Sequence, residues 1–298
     1  IGVTSPTFPL QFSGGRFQFS STSTSQPSIF KFKQMLQLQD GNTSTTFVVF
    51  DANSNRVGIG TTTPAAKLDV SGGDARINTL TVGLGKNGLY ANTVLGMSAL
   101  QSTTTGNYNV AIGHSALLSN TTGQNSVGIG PNALRDNITG NTNVGVGSSA
   151  LIYNTAGNNN TAIGSFALSN SSTGSNNAAL GTGALLYVGA GNSNVAAGVA
   201  ALHAYSASHS VAIGDSAIYI ASYGINTAIG SHALFSTVGF GDRNTAVGYY
   251  GLYNNYQGIG NCVLGHLAMY SNTNGSDNTA IGLQALYSNT TGSNNIAL

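Results

Sequence analysis

From Asn92 onward, polar and apolar positions alternate in a phrase that returns about every 17 residues. The phrase reads N-[TV]-A-I-G-x-x-A-L and occurs twelve times. Its anchoring glycines are Gly96, Gly113, Gly130, Gly147, Gly164, Gly181, Gly198, Gly214, Gly230, Gly248, Gly265 and Gly282. Eight of the eleven spacings are 17, and the exceptions, 16, 16 and 18, are consecutive. A fixed short period means that each repeat is one unit stacked on the last, which predicts a rod.

Each position has its own requirement. Four residues before the glycine stands Asn in ten of the twelve repeats, with Ser126 and Ser210 in the others. The residue just before the glycine is aliphatic, Ala197 being the small exception. Ala follows three residues later everywhere except Gly251, then Leu, with Ile218 and Met269 as variants. A second glycine ten residues on closes turns such as Asn120–Gly123. Five residues from Asn to Gly, rich in Val, Thr and Ile, predict a short strand, and the glycines suit turns with positive φ. A 17-residue coil has no room for a helix besides a strand and two turns. The expectation is an all-β fold: a parallel β-solenoid of about 12–13 coils, with a Leu column as core and an Asn column hydrogen-bonding along the stack. The middle strand residue is also small and apolar, as at Ala111, Ala162 and Ala280. With both strand faces apolar, one should face the coil interior and the small-residue face should pack against copies of the chain.

Composition narrows the function classes. Only 6% of the 298 residues are charged, and the net charge is +1, which gives no electrostatic basis for binding nucleic acid or an anionic membrane. No stretch of 18 apolar residues exists to span a membrane. The single cysteine, Cys262, fills a strand slot held elsewhere by Val, Thr or Ala, and reads as a buried structural thiol.

The first ninety residues differ. They hold eight of the eleven Phe, and "RFQFS" (16–20), "IFKFK" (29–33) and "FVVF" (47–50) read as strands. Residues 1–55 are therefore expected to form a small β-rich segment, 56–84 a connector and 85–298 the repeat array, with Gly85 as the anchor of a short first coil. Chain start at Ile1 and a thirteenth repeat cut after Leu298 suggest that the natural protein continues.

The phrase "VGIGTTTPAAKLDVSG", followed by tandem "NTAIGSxAL…NTTG" units, resembles bacteriophage tail fibres and related fibre-like adhesins. The array is similar to the head repeats of YadA-type trimeric adhesins, and its coils are longer. The resemblance covers roughly residues 56–298. It implies a left-handed β-roll, a homotrimer, a virion tail fibre or else a bacterial cell-surface location, and attachment to a receptor such as a surface glycan.

Enzyme chemistry is hard to assemble. There is no Glu, and the Asp residues are scattered. His114 and His266 lie nine coils apart, and His203, His209 and His232 have no partner at metal-ligand spacing. No cofactor or metal is expected. Aromatics carry the stronger surface signal. Five residues after the glycine, the last five repeats place Tyr219, Phe235, Tyr253, Tyr270 and Tyr287, which stacked coils turn into a stripe. Such a stripe suits sugar recognition, and it equally suits stabilisation by ring stacking. The irregular spacings fall between Gly198 and Gly248, where turns on a rigid scaffold are natural binding positions. The candidate receptor residues are His203, Tyr205, His209, Tyr219, Tyr223, His232, Asp242, Arg243, Tyr249 and Tyr250. A non-catalytic receptor-binding fibre leads, ahead of a purely structural shaft with its tip elsewhere. An ice-binding solenoid is a minor alternative, weakened by a Thr column interrupted by Val, Ala and Cys.

Overall fold

The computed structural model describes residues 35–39, 46–51, 54–84, 91–203, 207–221, 224–237 and 241–298. The strands expected at 16–20 and 29–33 lie outside these residues, as does Gly85. The chain divides into two units, Ile1–Ser71 and Gly72–Leu298.

In the first unit, β1 (Met35–Gln39), β2 (Thr46–Asp51), β3 (Arg56–Ile59) and β4 (Leu68–Val70) form one sheet in that order. β1, β2 and β3 are antiparallel, and β4 joins β3 in parallel. The expected strand 47–50 is part of β2, and its Val49 is fully buried. The "VGIGTTTPAAKLDVSG" phrase is thus two parallel strands and the crossover between them. Arg56 Nη1 ties that crossover down by donating to the Pro64 carbonyl at 2.7 Å.

The second unit opens with a hairpin, β5 (Ala75–Ile77) and β6 (Leu80–Gly83). β6 runs antiparallel to β7 (Thr93–Gly96). Parallel stacking starts only at β7, so residues 80–83 are a hairpin arm and not a coil. From β7 to Ile296–Ala297, thirteen described strands continue one parallel sheet without a register shift, each glycine-preceding residue opposite its counterpart. At about 4.8 Å per strand this column is roughly 60 Å long.

The strand's inside and outside differ from the expectation. Its small central residue points inward: Ala111, Ala162, Ala212 and Ala280 are fully buried. The aliphatic residue before the glycine points out, with Ile163 42% and Leu180 56% exposed. A 17-residue coil is too thin to take two large side chains from opposite walls. The Leu column already fills it, Leu117, Leu168 and Leu234 being fully buried, and only Ala or Gly fits opposite. Cys262 lies on the outward face and is exposed, so it is not a buried structural thiol.

The corners use left-handed backbone at non-glycine residues. Leu117 (φ 50°), Leu168 (φ 51°) and even β-branched Ile218 (φ 50°) adopt it. Such residues cost on the order of 1 kcal/mol each. They persist because each Leu is buried and its amide is fixed to the next coil, as in Leu117 N–H to Ala133 O at 3.0 Å. The two glycines differ in purpose. Gly164 combines φ 135° with close stacking on Gly181, whereas Gly123 has no positive φ and is small because Asn120 and the Gly140 carbonyl press on it.

Three side-chain ladders satisfy the thin coil's backbone. In the expected one, Asn160 Oδ1 accepts the Asn177 amide at 3.0 Å while its Nδ2 donates to Gly174 O at 2.7 Å. A second, equally buried ladder sits in the turn: Asn137 Nδ2 donates to Asn120 Oδ1 at 2.9 Å, and Asn154 Nδ2 to Asn137 Oδ1 at 2.8 Å. The third is exposed, with Asn141 N–H bound to Asn158 Oδ1 at 2.8 Å.

Candidate recognition surface

In the last six repeats the residue five after the anchoring glycine forms a column of rings. His203, Tyr219, Phe235, Tyr253, Tyr270 and Tyr287 stack in sequence, with centroids 4.8–5.4 Å apart and planes within 3–13°. Tyr187 meets His203 edge-on at 4.8 Å. Parallel strands one coil apart fix these distances, so the stacking follows directly from the period. Its consequence is chemical. The interior rings spend both faces on one another, leaving edges and hydroxyls for a ligand. Burial among these rings lowers the His203 pKa, and desolvation raises that of Tyr253, with Tyr270 and Tyr250 adding to it.

A shoulder broadens this column. His232 stacks on Tyr250 at 4.9 Å and on Phe235 at 5.3 Å, and Tyr250 leans on Tyr253 at 4.9 Å. Tyr249 stands nearly perpendicular to Tyr250 at 4.3 Å and meets His266 at 5.3 Å. Tyr249 is 48% exposed, and His266 is exposed. A hydrogen bond to Tyr250 raises the Tyr249 pKa. The backbone sets the shoulder's geometry, since His232 (φ 58°) and Tyr250 (φ 54°) occupy left-handed corners.

The remaining candidates lie elsewhere or are already employed. Tyr205 and Tyr223 lie outside the described residues. His209 (φ 59°) and Arg243 (φ 56°) occupy the opposite corner of the coil, before the strand. Asp242 belongs to the exposed ladder: its Oδ1 accepts the Ile225 amide at 2.7 Å, and Arg243 Nε lies 3.2 Å from its Oδ2. The structure therefore joins His203, Tyr219, His232, Tyr249 and Tyr250 in one surface, and adds His266, which sequence reasoning had set apart. Ring contacts between adjacent coils were the missing signal: Tyr249 and His266 both directly follow an anchoring glycine.

Ser231, His232 and Asp215 invite a nucleophile reading. Ser231 Oγ lies 2.8 Å and Asp215 Oδ2 3.9 Å from the same atom, His232 Nδ1. A relay needs the acid on one ring nitrogen and the hydroxyl on the other, so this set does not activate the serine. No group of three metal-ligating side chains occurs among the described residues. The turn sequons are equally constrained, because Asn120 and Asn137 are fully buried ladder residues. No helix among the described residues is long and apolar enough to cross a membrane.

Compared with known proteins, the chain matches no protein-family model, no curated protein and no solved structure.

Proposed function

We propose that this chain is one protomer of a non-catalytic, homotrimeric fibre, with a left-handed β-roll, that attaches to a surface receptor, a glycan by preference. The observation that carries the reading is the outward sheet face. Ile129, Ile163, Leu180, Ile213, Ile229 and Leu264 form one aliphatic column along it, each 37–56% exposed. Thirteen strands, three residues wide on average, give a face of roughly 600 Å². That is at the upper end of the ~300–600 Å² found for the largest patch on monomers, and near the ~800 Å² per partner of a standard interface. The face is flat, lacks charge and repeats in register, which suits packing on copies of itself around an axis.

Recognition is assigned to the shoulder, where Tyr249, Tyr250, His232 and His266 offer differently oriented rings amid Ser and Asn. The resemblance of its residue phrases to those of tail fibres favours a virion location, with a bacterial surface as the alternative. A glycan array probed with the purified chain tests the receptor class, and binding to no glycan and no cell surface would remove the attachment role. The rival is a structural shaft, favoured by one observation: the long aromatic column has its ring faces covered.

A further inference from the structure

The residue directly after each anchoring glycine forms a column of its own. Asp215, Ser231, Tyr249 and His266 follow one another there on four successive coils. Every member of this column and of the next position, from Val199 to Gln284, is among the described residues. Two coils separate Asp215 from Tyr249, about 10 Å at the strand spacing, and only Ser231 stands between them in the column. The Asp215 side chain and Tyr249 are both half exposed. Tyr249 has no stacked partner, since it meets Tyr250 at 83° and His266 at 71°.

Charge singles out Asp215. From Asn92 onward the only Lys or Arg residues are Arg135 and Arg243. Each is already paired with the acid beside it, Arg135 with Asp136 at 2.6 Å and Arg243 with Asp242 at 3.2 Å. Asp215 and Asp277 are left without a Lys or Arg partner among the described residues. Asp277 (φ 55°) stands at the opposite corner, before the strand. Asp215 stands at the margin of the rings. Among the described residues its carboxylate accepts no hydrogen bond: His232 Nδ1 lies 3.9 Å away and is engaged by Ser231 Oγ at 2.8 Å. An exposed carboxylate in this state is matched by a ligand that brings its own cationic N–H donors.

We propose that the glycan recognised by the shoulder contains an amino sugar with a free amine. The inference rests on the attachment reading and names the class of glycan. The ammonium group donates to the Asp215 carboxylate, and a pyranose ring lies against Tyr249. A short oligosaccharide lying along the stack spans the two. N-acetylation removes the positive charge and with it the charge-assisted bond. An acidic glycan is disfavoured, since both arginines of the array are taken.

The probes are a glucosamine tetramer and its fully N-acetylated counterpart, titrated into the whole chain at neutral pH. The free-amine form should bind about tenfold or more tightly than the acetylated one. Asp215→Asn should erase that difference at unchanged melting temperature, because the carboxylate holds no hydrogen bond in the fold. Asp277→Asn makes the same change of charge at the opposite corner and should leave the difference intact, which separates a site from general attraction of a cation. Tyr249→Ala should weaken both forms. A free-amine form that binds no more tightly than the acetylated one, or whose binding Asp215→Asn leaves unchanged, would overturn this inference. The attachment reading survives that result wherever other glycan or cell-surface binding persists, and absence of all such binding would overturn both.

Discussion

The rings of Tyr253 and Tyr270, one coil apart, stack at 5.1 Å with planes only 3° from parallel. Their faces are inside the column, whereas Tyr249 stands across its neighbours and is half exposed. Two tyrosines in adjacent columns thus have separable effects. Tyr253→Ala removes stacking on both sides and should cost about 1–3 kcal/mol in stability. Tyr249→Ala should leave the melting temperature nearly unchanged and weaken cell-surface or glycan binding. Thermal melts and binding on the same two variants check this, and a Tyr249→Ala protein that binds undiminished would return the shoulder to scaffold.

The strand's inside and outside predict opposite behaviour for two residues of one coil. Leu168 is fully buried, so Leu168→Asp places a charge without a partner in the core and should cost roughly 4 kcal/mol or more. Ile163 faces out at 42% exposure. Ile163→Asp should leave the single-chain β-signal intact in circular dichroism and disrupt self-association. Equal loss of secondary structure in both variants would contradict the assignment.

The buried and exposed ladders differ in how far water can replace them. Asn160→Ala strands the Asn177 amide and the Gly174 carbonyl in the interior, an expected loss of about 2–4 kcal/mol. Asn158→Ala removes a similar bond to Asn141 at an exposed corner, where water substitutes, and should cost less than about 1 kcal/mol. Denaturant melts that rank the two the other way would show that the ladders are not what holds the coil.

His203 links stability to pH. Burial among the rings lowers its pKa, so the unfolded chain takes up the proton first as pH falls. Its contribution is full above about pH 6.5 and is lost as pH falls below that value towards the folded pKa. His203→Phe, which continues the column, should narrow the difference in melting temperature between neutral and mildly acid buffer. An unchanged difference would contradict this linkage.

Much of the solenoid was legible because a period exposes it. Leu168 and Gly164 occupy the roles that their columns predict, and Asn160 bonds along the stack as expected. The periodicity could not show which strand face turns inward, because Ala162 and Ile163 are both apolar. Only the width of the coil decides it, and the same miss put Cys262 inside. Asn120 and Asn137 looked like turn residues, and their burial becomes visible only when the coil below is in place. Of the recognition surface, the column through Tyr219 and Tyr270 could be counted off the repeats. The contact between Tyr249 and His266 could not, since it depends on ring orientations across coils.

The central claim is that the outward aliphatic face joins copies of this chain, and its most direct test is the solution mass of the purified protein by light scattering. The account predicts about three times the 30.1 kDa of one chain, falling to one chain mass in Ile163→Asp. A folded wild-type monomer at micromolar concentration would contradict the account, and the fibre reading would fall with it.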